Sequence, residues 1–462
     1  MKLLSTPANF QGELVRPGDT AYDQARRLWN GAIDRYPALI ARARRTTDVV
    51  AAIRYARRSG TPLSIRGGGH SAAGLAVADG ALMLDLSPMK TVAVDPAARI
   101  AVAAPGLTWE ELDAATQQHG LATTGGVVGS TGIAGLTLGG GIGWLDRLAG
   151  LTCDNLASAE VATADGRLLR ASDTEHPDLF WALRGGGGNF GVVTSFSYRM
   201  HPVTQAYGGL LGYTFDHAAK VLEAYAALSD QAPDRLALYA MLATAPPLPF
   251  IPRGLHGQPV AALFPVCFGT ADDHPERTVA AVRSLLPPPT VDTTGPMSYH
   301  QIQRFSEGPM VPGAHHYYTA EWLDFLDGAA IESLVAAAAR ATSPLSIIVL
   351  KRMGGATARV AAEATAFRYR QAAHNLDIHA QWVPDGGDPA PHRVWAHDTR
   401  RAVRHASAGG GYVNFIDGDL GDERVRAAYG SNYGRLAEVK AAYDPDNFFR
   451  FNHNIVPAAA VR

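Results

Sequence analysis

Two side chains in this sequence are equipped to add covalently to an electrophilic ring: the imidazole of His70 and the thiol of Cys153. His70 lies in "SIRGGGHSAAG" (64–74), where four glycines surround it directly after an apolar run. Glycines let a ligand approach the backbone, and a histidine brings acid–base or nucleophilic chemistry. Cys153 lies in "GLTCDN". Each has a plainer explanation alone: a hydrogen-bonded loop histidine and a small buried hydrophobe. Three glycine loops around one histidine and one cysteine make a stronger case together.

The second loop, "GGVVGSTGIAGLTLGGGIG", holds seven glycines in the fifteen residues 129–143, more than simple turns need. Such a run suits close approach of backbone to a flat or phosphorylated ligand. The third, "GGGNFG" (186–191), satisfies G-x-G-x-x-G. A dinucleotide fingerprint, however, follows a strand and opens a helix. Here a helical "DLFWALR" precedes it and a strand, "VVTSFSYR", follows, so a nicotinamide site is not expected. Its backbone N–H groups, with Asn189, still offer an anion nest; a glycine-rich hairpin is the plain alternative.

The elements that must position these loops alternate between strand and helix. "ALIARA" (38–43) reads as a strand and "TTDVVAAIRYARRSG" (46–60) as a helix capped by Thr47 or Asp48 and stopped at Gly60. "PLSIR" (62–66) is a second strand, which puts His70 at a strand's carboxyl end, where open α/β sheets bind ligands. "ALMLDL" (81–86) and "RIAVAA" (99–104) follow, separated by a turn at "DPAA". "TWEELDAATQQHG" (108–120) opens on a capping box, Thr108 with Glu111. "ASAEVATADGRLLRAS" (157–172) is a hairpin. After about residue 205, proline clusters interrupt alternating strands and alanine-rich helices. "NYGRLAEVKAAYDPDN" then forms an amphipathic helix with Tyr433, Leu436, Val439 and Tyr443 on one side. These patterns predict two parts: residues 1–205 with 411–462, and a middle α+β unit, 206–410.

At 462 residues the chain is too long for one ordinary core. A formal charge of −2 gives no electrostatic reason for nucleic acid or an anionic membrane as partner. Two cysteines exclude a disulfide framework. The N-terminal apolar cluster is too short for a signal-peptide core, so a cytoplasmic enzyme is expected. No metal-ligand spacing stands out.

"IRGGGHSAAG", "GSTGIAGLTLGGGIGWLDRLAGLTCDNL", "DLFWALRGGGGNFGVVT" and "YDPDNFFRFNHNI" occur in that order. Together they resemble the FAD-linked oxidases of the vanillyl-alcohol-oxidase type, in the berberine bridge enzyme-like branch. The resemblance implies an α+β fold: a two-lobed PCMH-type FAD-binding domain and a second α+β substrate domain built on an antiparallel sheet. It implies FAD bonded twice, through His70 to the flavin 8α-methyl and through Cys153 to flavin C6. Contacts to FAD would come from Arg66, Gly67, Gly68, Gly69, Ser71 and Gly74 in the first loop. The second would supply Ser130, Thr131, Gly132, Gly135, Gly139, Gly141 and Gly143, with Asn155 beyond it. Gly188, Asn189, Gly191, Val192 and Val193 would follow, and Asn452 and Asn454 would return from the C-terminus.

Catalysis in this branch generally needs a base that takes a proton as hydride leaves to the flavin. That base is often the last tyrosine of a Y-x-N-Y motif, but this chain has "YVNF", ending at Phe415. Tyr412 and Lys351 are the candidates left; "SIIVLKRMGG" puts Ile347, Val349 and Lys351 on one strand face. A lysine serves as base only when desolvation lowers its pKa; otherwise it anchors a substrate anion. Thr131 stands where the family controls oxygen access, at a position usually apolar. The expected partners are a small molecule (an alcohol, sugar or natural-product ring) and oxygen or another electron acceptor. An alkaloid-like amine substrate, and a flavin-retaining protein without turnover, are the alternatives.

Overall fold

The structure, a computed structural model, describes residues 6–229, 232–269, 273–304, 310–384, 387–418 and 421–459. Three sheets carry the site. The first orders Glu13–Val15, Leu39–Arg42, Leu82–Asp85 and Leu63–Arg66, the last three mutually parallel. The helix Thr46–Ser59 provides the crossover and packs Val49, Ala52, Ile53 and Ala56 into the core. It ends where Gly60 turns left-handed (φ 64°), as expected. Its start differs: Arg45 is the N-cap, with no side-chain bond. Asp48 instead accepts from the Gln11 and Arg44 amides, tying down the preceding chain.

The second sheet is antiparallel, in the order Val92–Asp95, Ile100–Ala103, Val192–Arg199, Leu156–Ala162, Leu168–Ser172. Its first strand is absent from the sequence reading. "VAVD" is too short and too exposed to announce itself, but it pairs with Ile100–Ala103 across the "DPAA" turn. The predicted Thr108–Glu111 capping box is present and opens the helix Trp109–Gln117.

The third sheet is nine-stranded and antiparallel, and all its strands lie between Ala206 and Trp382. One face is apolar: Leu238, Leu350, Leu376 and Ile378 pack beneath the helices Ala218–Ser229, Gly328–Ala339 and Ala390–Ala402. The other face looks toward the glycine loops. Because side chains alternate along a strand, "NLDIHAQ" places Asn375, Asp377, His379 and Gln381 on that second face. All four are buried. Among the described residues, no helix is long and apolar enough to cross a membrane.

Candidate active site

A cavity of about 350 Å³ lies between the three glycine loops and the polar face of the large sheet. On the loop side, Gly67, Gly68, Gly69, His70 and Ser71 line it, with Thr131, Gly132 and Gly135 from the second loop. Gly188, Asn189, Gly191, Val192 and Val193 complete that wall, and Asn452 reaches it from the C-terminus. The first two loops touch so closely that a Cβ on Gly68 would lie 2.4 Å from the Gly132 nitrogen. A Cβ on Gly132 would meet the Gly68 nitrogen at the same distance. Only glycine fits at that crossing. Gly135 and Gly188 have open space where a side chain would stand, so their role is to leave room for a ligand.

His70 is held from three sides. Trp29 stacks on its ring, and the Ser130 and Thr131 hydroxyls lie 3.2 and 3.4 Å from Nε2 and Nδ1. Burial, assisted by His316, lowers its pKa to about 4, so the imidazole is neutral and keeps a lone pair.

Cys153 is not in the cavity. The turn Thr152–Asn155 is pinned behind the Gly139–Gly143 loop: the Thr152 hydroxyl donates to Thr124 O and the Cys153 amide to Gly140 O. The sulfur is buried among Ile142, Leu151, Trp322 and Phe367. Burial also pushes the thiol well above its ordinary pKa. The expected second flavin bond therefore lacks access, and Cys153 serves as a small core residue.

Several other expected contacts face elsewhere, each for a local reason. Arg66 donates to Ala25 O beside Asp85. Gly74 packs on Ile33, and Asn155 bridges Ala149 O, Leu151 O and His201. Gly139 makes room for Asn414, Gly141 for Thr152 and Gly143 for the Gly125 carbonyl, so these three shape the loop from behind. Ser130 acts only through His70. Asn454 is outside the cavity lining, whereas Asn452 donates to Gly188 O and Phe449 O and has its Oδ1 free of protein partners.

On the sheet side, Lys351 lines the cavity with Ile347 and Val349, as the strand period requires. Arg352 turns away and donates to Ala373 O. The Lys351 ammonium pairs with Asp377 Oδ2; both side chains are almost fully buried. Asp377 Oδ1 has no protein partner, and neither has either nitrogen of His379. Burial raises the Asp377 pKa while Lys351 opposes it. Burial, with Lys351 and His316, drives His379 far down, so it is neutral. Tyr318 stacks on His379 at 4.2 Å and donates its hydroxyl hydrogen to His316 Nδ1.

Tyr412 and Phe415 stand at the two ends of "YVNF". Val413–Phe415 is one 3-10 turn, which brings the two rings into edge contact at 5.2 Å. The Tyr412 oxygen receives the Gly141 and Ile142 amides and the Asn414 Nδ2–H. Its pKa is pushed up by burial. Tyr412 lines the cavity and fastens the C-terminal segment to the second loop. Phe415 covers the pair, its ring 5.3 Å from Lys351 Nζ. Asp377, His379 and Trp29 escaped the sequence reading, whereas Tyr318 lies in "AHHYYTAEW" (314–322), a strand whose two histidines and two tyrosines the sequence offers to the site. The usable signal was a strand, "HNLDIHAQW", alternating polar and apolar residues inside a region with no exposed face.

The comparisons with known proteins agree with this arrangement. A family model described as an FAD binding domain matches residues 37–172, and one described as "Berberine and berberine like" matches 411–456. The chain is 31% identical to (R)-6-hydroxynicotine oxidase of Paenarthrobacter nicotinovorans, over 98% of both chains. It is 30% identical to the FAD-linked oxidoreductase YgaK of Bacillus subtilis, over 96% of this chain and 97% of that one. Among solved structures, 6-hydroxy-D-nicotine oxidase from Arthrobacter nicotinovorans superposes with a TM-score of 0.86 at 27% identity, covering 98% of this chain and all of that one. A chitooligosaccharide oxidase shares the fold, at 22% identity and a TM-score of 0.85 over 97% and 98% of the two chains. With three glycine loops, a held histidine and a C-terminal segment returning to them, this chain belongs to the FAD-linked oxidoreductases of the berberine bridge enzyme-like family.

Proposed function

We propose that this enzyme oxidises a compact, largely apolar ring compound bearing one hydroxyl or amine, with FAD tethered once, through His70. The observation that carries the substrate class is the wall opposite the glycine loops. Tyr239, Met241, Phe264, Ile347, Val349 and Phe415 make it apolar and aromatic, while Lys351, Asp377 and His379 converge at one place. A pocket of that kind binds by burial and orients by a few polar groups. An oligosaccharide would leave many hydroxyls unpaired against it.

The residues fit FAD. The Gly68–Gly132 crossing and the open positions at Gly135 and Gly188 leave space along the loops, and the free Asn452 Oδ1 offers an acceptor. Residues 1–205 and 411–462 would hold the cofactor and 206–410 the substrate. When bound, FAD supplies a two-electron acceptor for hydride. The protein's share is the proton: Asp377 Oδ1 takes it from the substrate, Lys351 holds Oδ2, and the neutral His379 hydrogen-bonds the same substrate group. Oxygen is the proposed final acceptor.

A second reading, oxidation of an alkaloid-like amine, is favoured by the 31% identity to a hydroxynicotine oxidase and by the absence of a tyrosine at Phe415. A panel of cyclic alcohols, cyclic amines and oligosaccharides, followed by anaerobic flavin bleaching and by peroxide release in air, separates the readings. Bleaching by cyclic alcohols or amines supports the proposal and names the class. Bleaching by oligosaccharides alone, or by no compound, contradicts it.

A further inference from the structure

A second buried carboxyl, outside the cavity lining, interacts electrostatically with Lys351. Asp146 opens the short helix Asp146–Ala149, and its place is fixed by its neighbours. Trp144 stacks on Tyr239 at 4.3 Å, and Tyr239 is the register partner of Lys351. Arg147 donates to Leu236 O, Ala232 O and Met353 O, which locks the helix onto the strands Leu236–Thr244 and Ile347–Arg352. The Asp146 carbonyl accepts from the Thr357 hydroxyl.

Both Asp146 carboxyl oxygens are fully enclosed and accept from no side chain; the adjacent Arg147 backbone N–H acts on the carboxyl. Other buried carboxyls here are bonded: Asp154 to Arg370, Asp444 to Lys440, Asp113 to Gln303. A buried polar group left unpaired needs an explanation, and its charge state supplies one.

Ionised Lys351, Arg147 and Asp377 sum to one positive charge. An ionised Asp146 would cancel it, but would be a buried anion with no side-chain hydrogen bond, which burial penalises. The two effects oppose each other and poise the group: burial, against Arg147 and Lys351, brings its pKa up to about 7. Asp146 also acts electrostatically on Tyr225 and Tyr239, which in turn feel Arg352 and Asp377 respectively. Arg359, on the helix packed against it, pairs outward with Asp234.

We propose that Asp146 is a positioning residue for the oxidation: its ionisation, felt through Lys351, sets how strongly Asp377 takes the substrate proton. This rests on the site reading above. The substrate O–H or N–H proton goes to Asp377 Oδ1, and the second hydrogen leaves with two electrons as hydride to the cofactor. A negative Asp146 raises the proton affinity of Asp377. A protonated Asp146 leaves excess positive charge beside Asp377 and weakens it as an acceptor. Flavin reduction therefore falls on the acid side as Asp146 takes up its proton.

The test pairs a substrate-free measurement with a kinetic one on the flavin-loaded enzyme. Because burial brings both Asp146 and Asp113 to about 7, infrared titration is read in an Asp113→Asn background. A buried carboxylic C=O band should grow in there as pH falls through about 7 and be lost when Asp146→Asn is added. The acid limb of flavin reduction should disappear in Asp146→Asn, with the rate at pH 8.5 about threefold to tenfold lower. Asp146→Glu should restore a limb with a shifted midpoint. A band near pH 7 that survives Asp146→Asn in the Asp113→Asn background, or a limb unchanged in Asp146→Asn, overturns the proposal. If Asp146→Asn does not fold, a limb with unmoved midpoint in Asp146→Glu overturns it instead. Undiminished flavin reduction in Asp377→Asn would sink the site reading, whereas the infrared band reports on Asp146 alone.

Discussion

Trp29 stacks face to face on His70, ring centroids 4.2 Å apart and planes 20° from parallel. With Ser130 and Thr131 at the two nitrogens, the stack fixes the imidazole before any ligand arrives. A ring pair of this kind contributes about 0.5–1.5 kcal/mol beyond its buried area. In Trp29→Ala, covalent labelling of apoprotein by added FAD should slow severalfold, read as in-gel flavin fluorescence against time. Labelling at the wild-type rate would remove Trp29 from that role.

The buried pair makes an asymmetric prediction. Asp377→Asn removes the proton acceptor and should lower anaerobic flavin reduction by about 10²–10⁴-fold. Lys351→Met leaves a buried carboxylate alone, at a cost of about 3–5 kcal/mol. That variant should therefore lose both turnover and melting temperature. Equal turnover in Asp377→Asn and wild type would place the base elsewhere.

Acid should destabilise the fold through its buried histidines. Burial lowers His316 and His453 to about 4, His374 to about 3, and His379 further. Between their unfolded value near 6.5 and these folded values, the unfolded chain binds more protons, so stability rises with pH across that interval. The melting temperature should drop steadily from pH 7 to pH 4.5. His374→Gln, which removes one contributor beside Tyr225, should flatten the slope. A pH-independent melting temperature would contradict the assignment of neutral buried imidazoles.

At the other end of the cavity, Lys440 is fully buried and donates to Asn189 O, Phe449 O and Asp444 Oδ2. One ammonium thus joins the last helix, the third glycine loop and the segment that carries Asn452. Lys440→Met should cost about 3–5 kcal/mol by leaving the buried Asp444 without its counter-charge. It should also loosen FAD retention in a His70→Ala background, measurable as flavin lost on gel filtration. Full retention at wild-type stability would show that the tie is dispensable.

The glycine cradle and Lys351 were legible because each depends on local pattern: a glycine run after a strand, and the two-residue period. Asp377 was not, because its partner is 26 residues away and the pairing is created by sheet register. Cys153 was misplaced for a different reason. Its motif was read correctly as part of the second loop's neighbourhood, but the direction of its sulfur is set by the turn that Thr152 pins. The anchoring of Tyr412 was not legible in "YVNF", because the amides its oxygen accepts, Gly141 and Ile142, come from the second loop. The Val92–Asp95 strand was missed because four half-exposed residues carry almost no signal without their partner.

The central claim is a flavoenzyme with one tether, and the intact mass of the denatured, FAD-reconstituted protein tests it most directly. Wild type and Cys153→Ala should each carry the mass of one FAD, and His70→Ala should show the bare chain. Flavin still bound covalently in His70→Ala, or a bare wild-type chain, would contradict it.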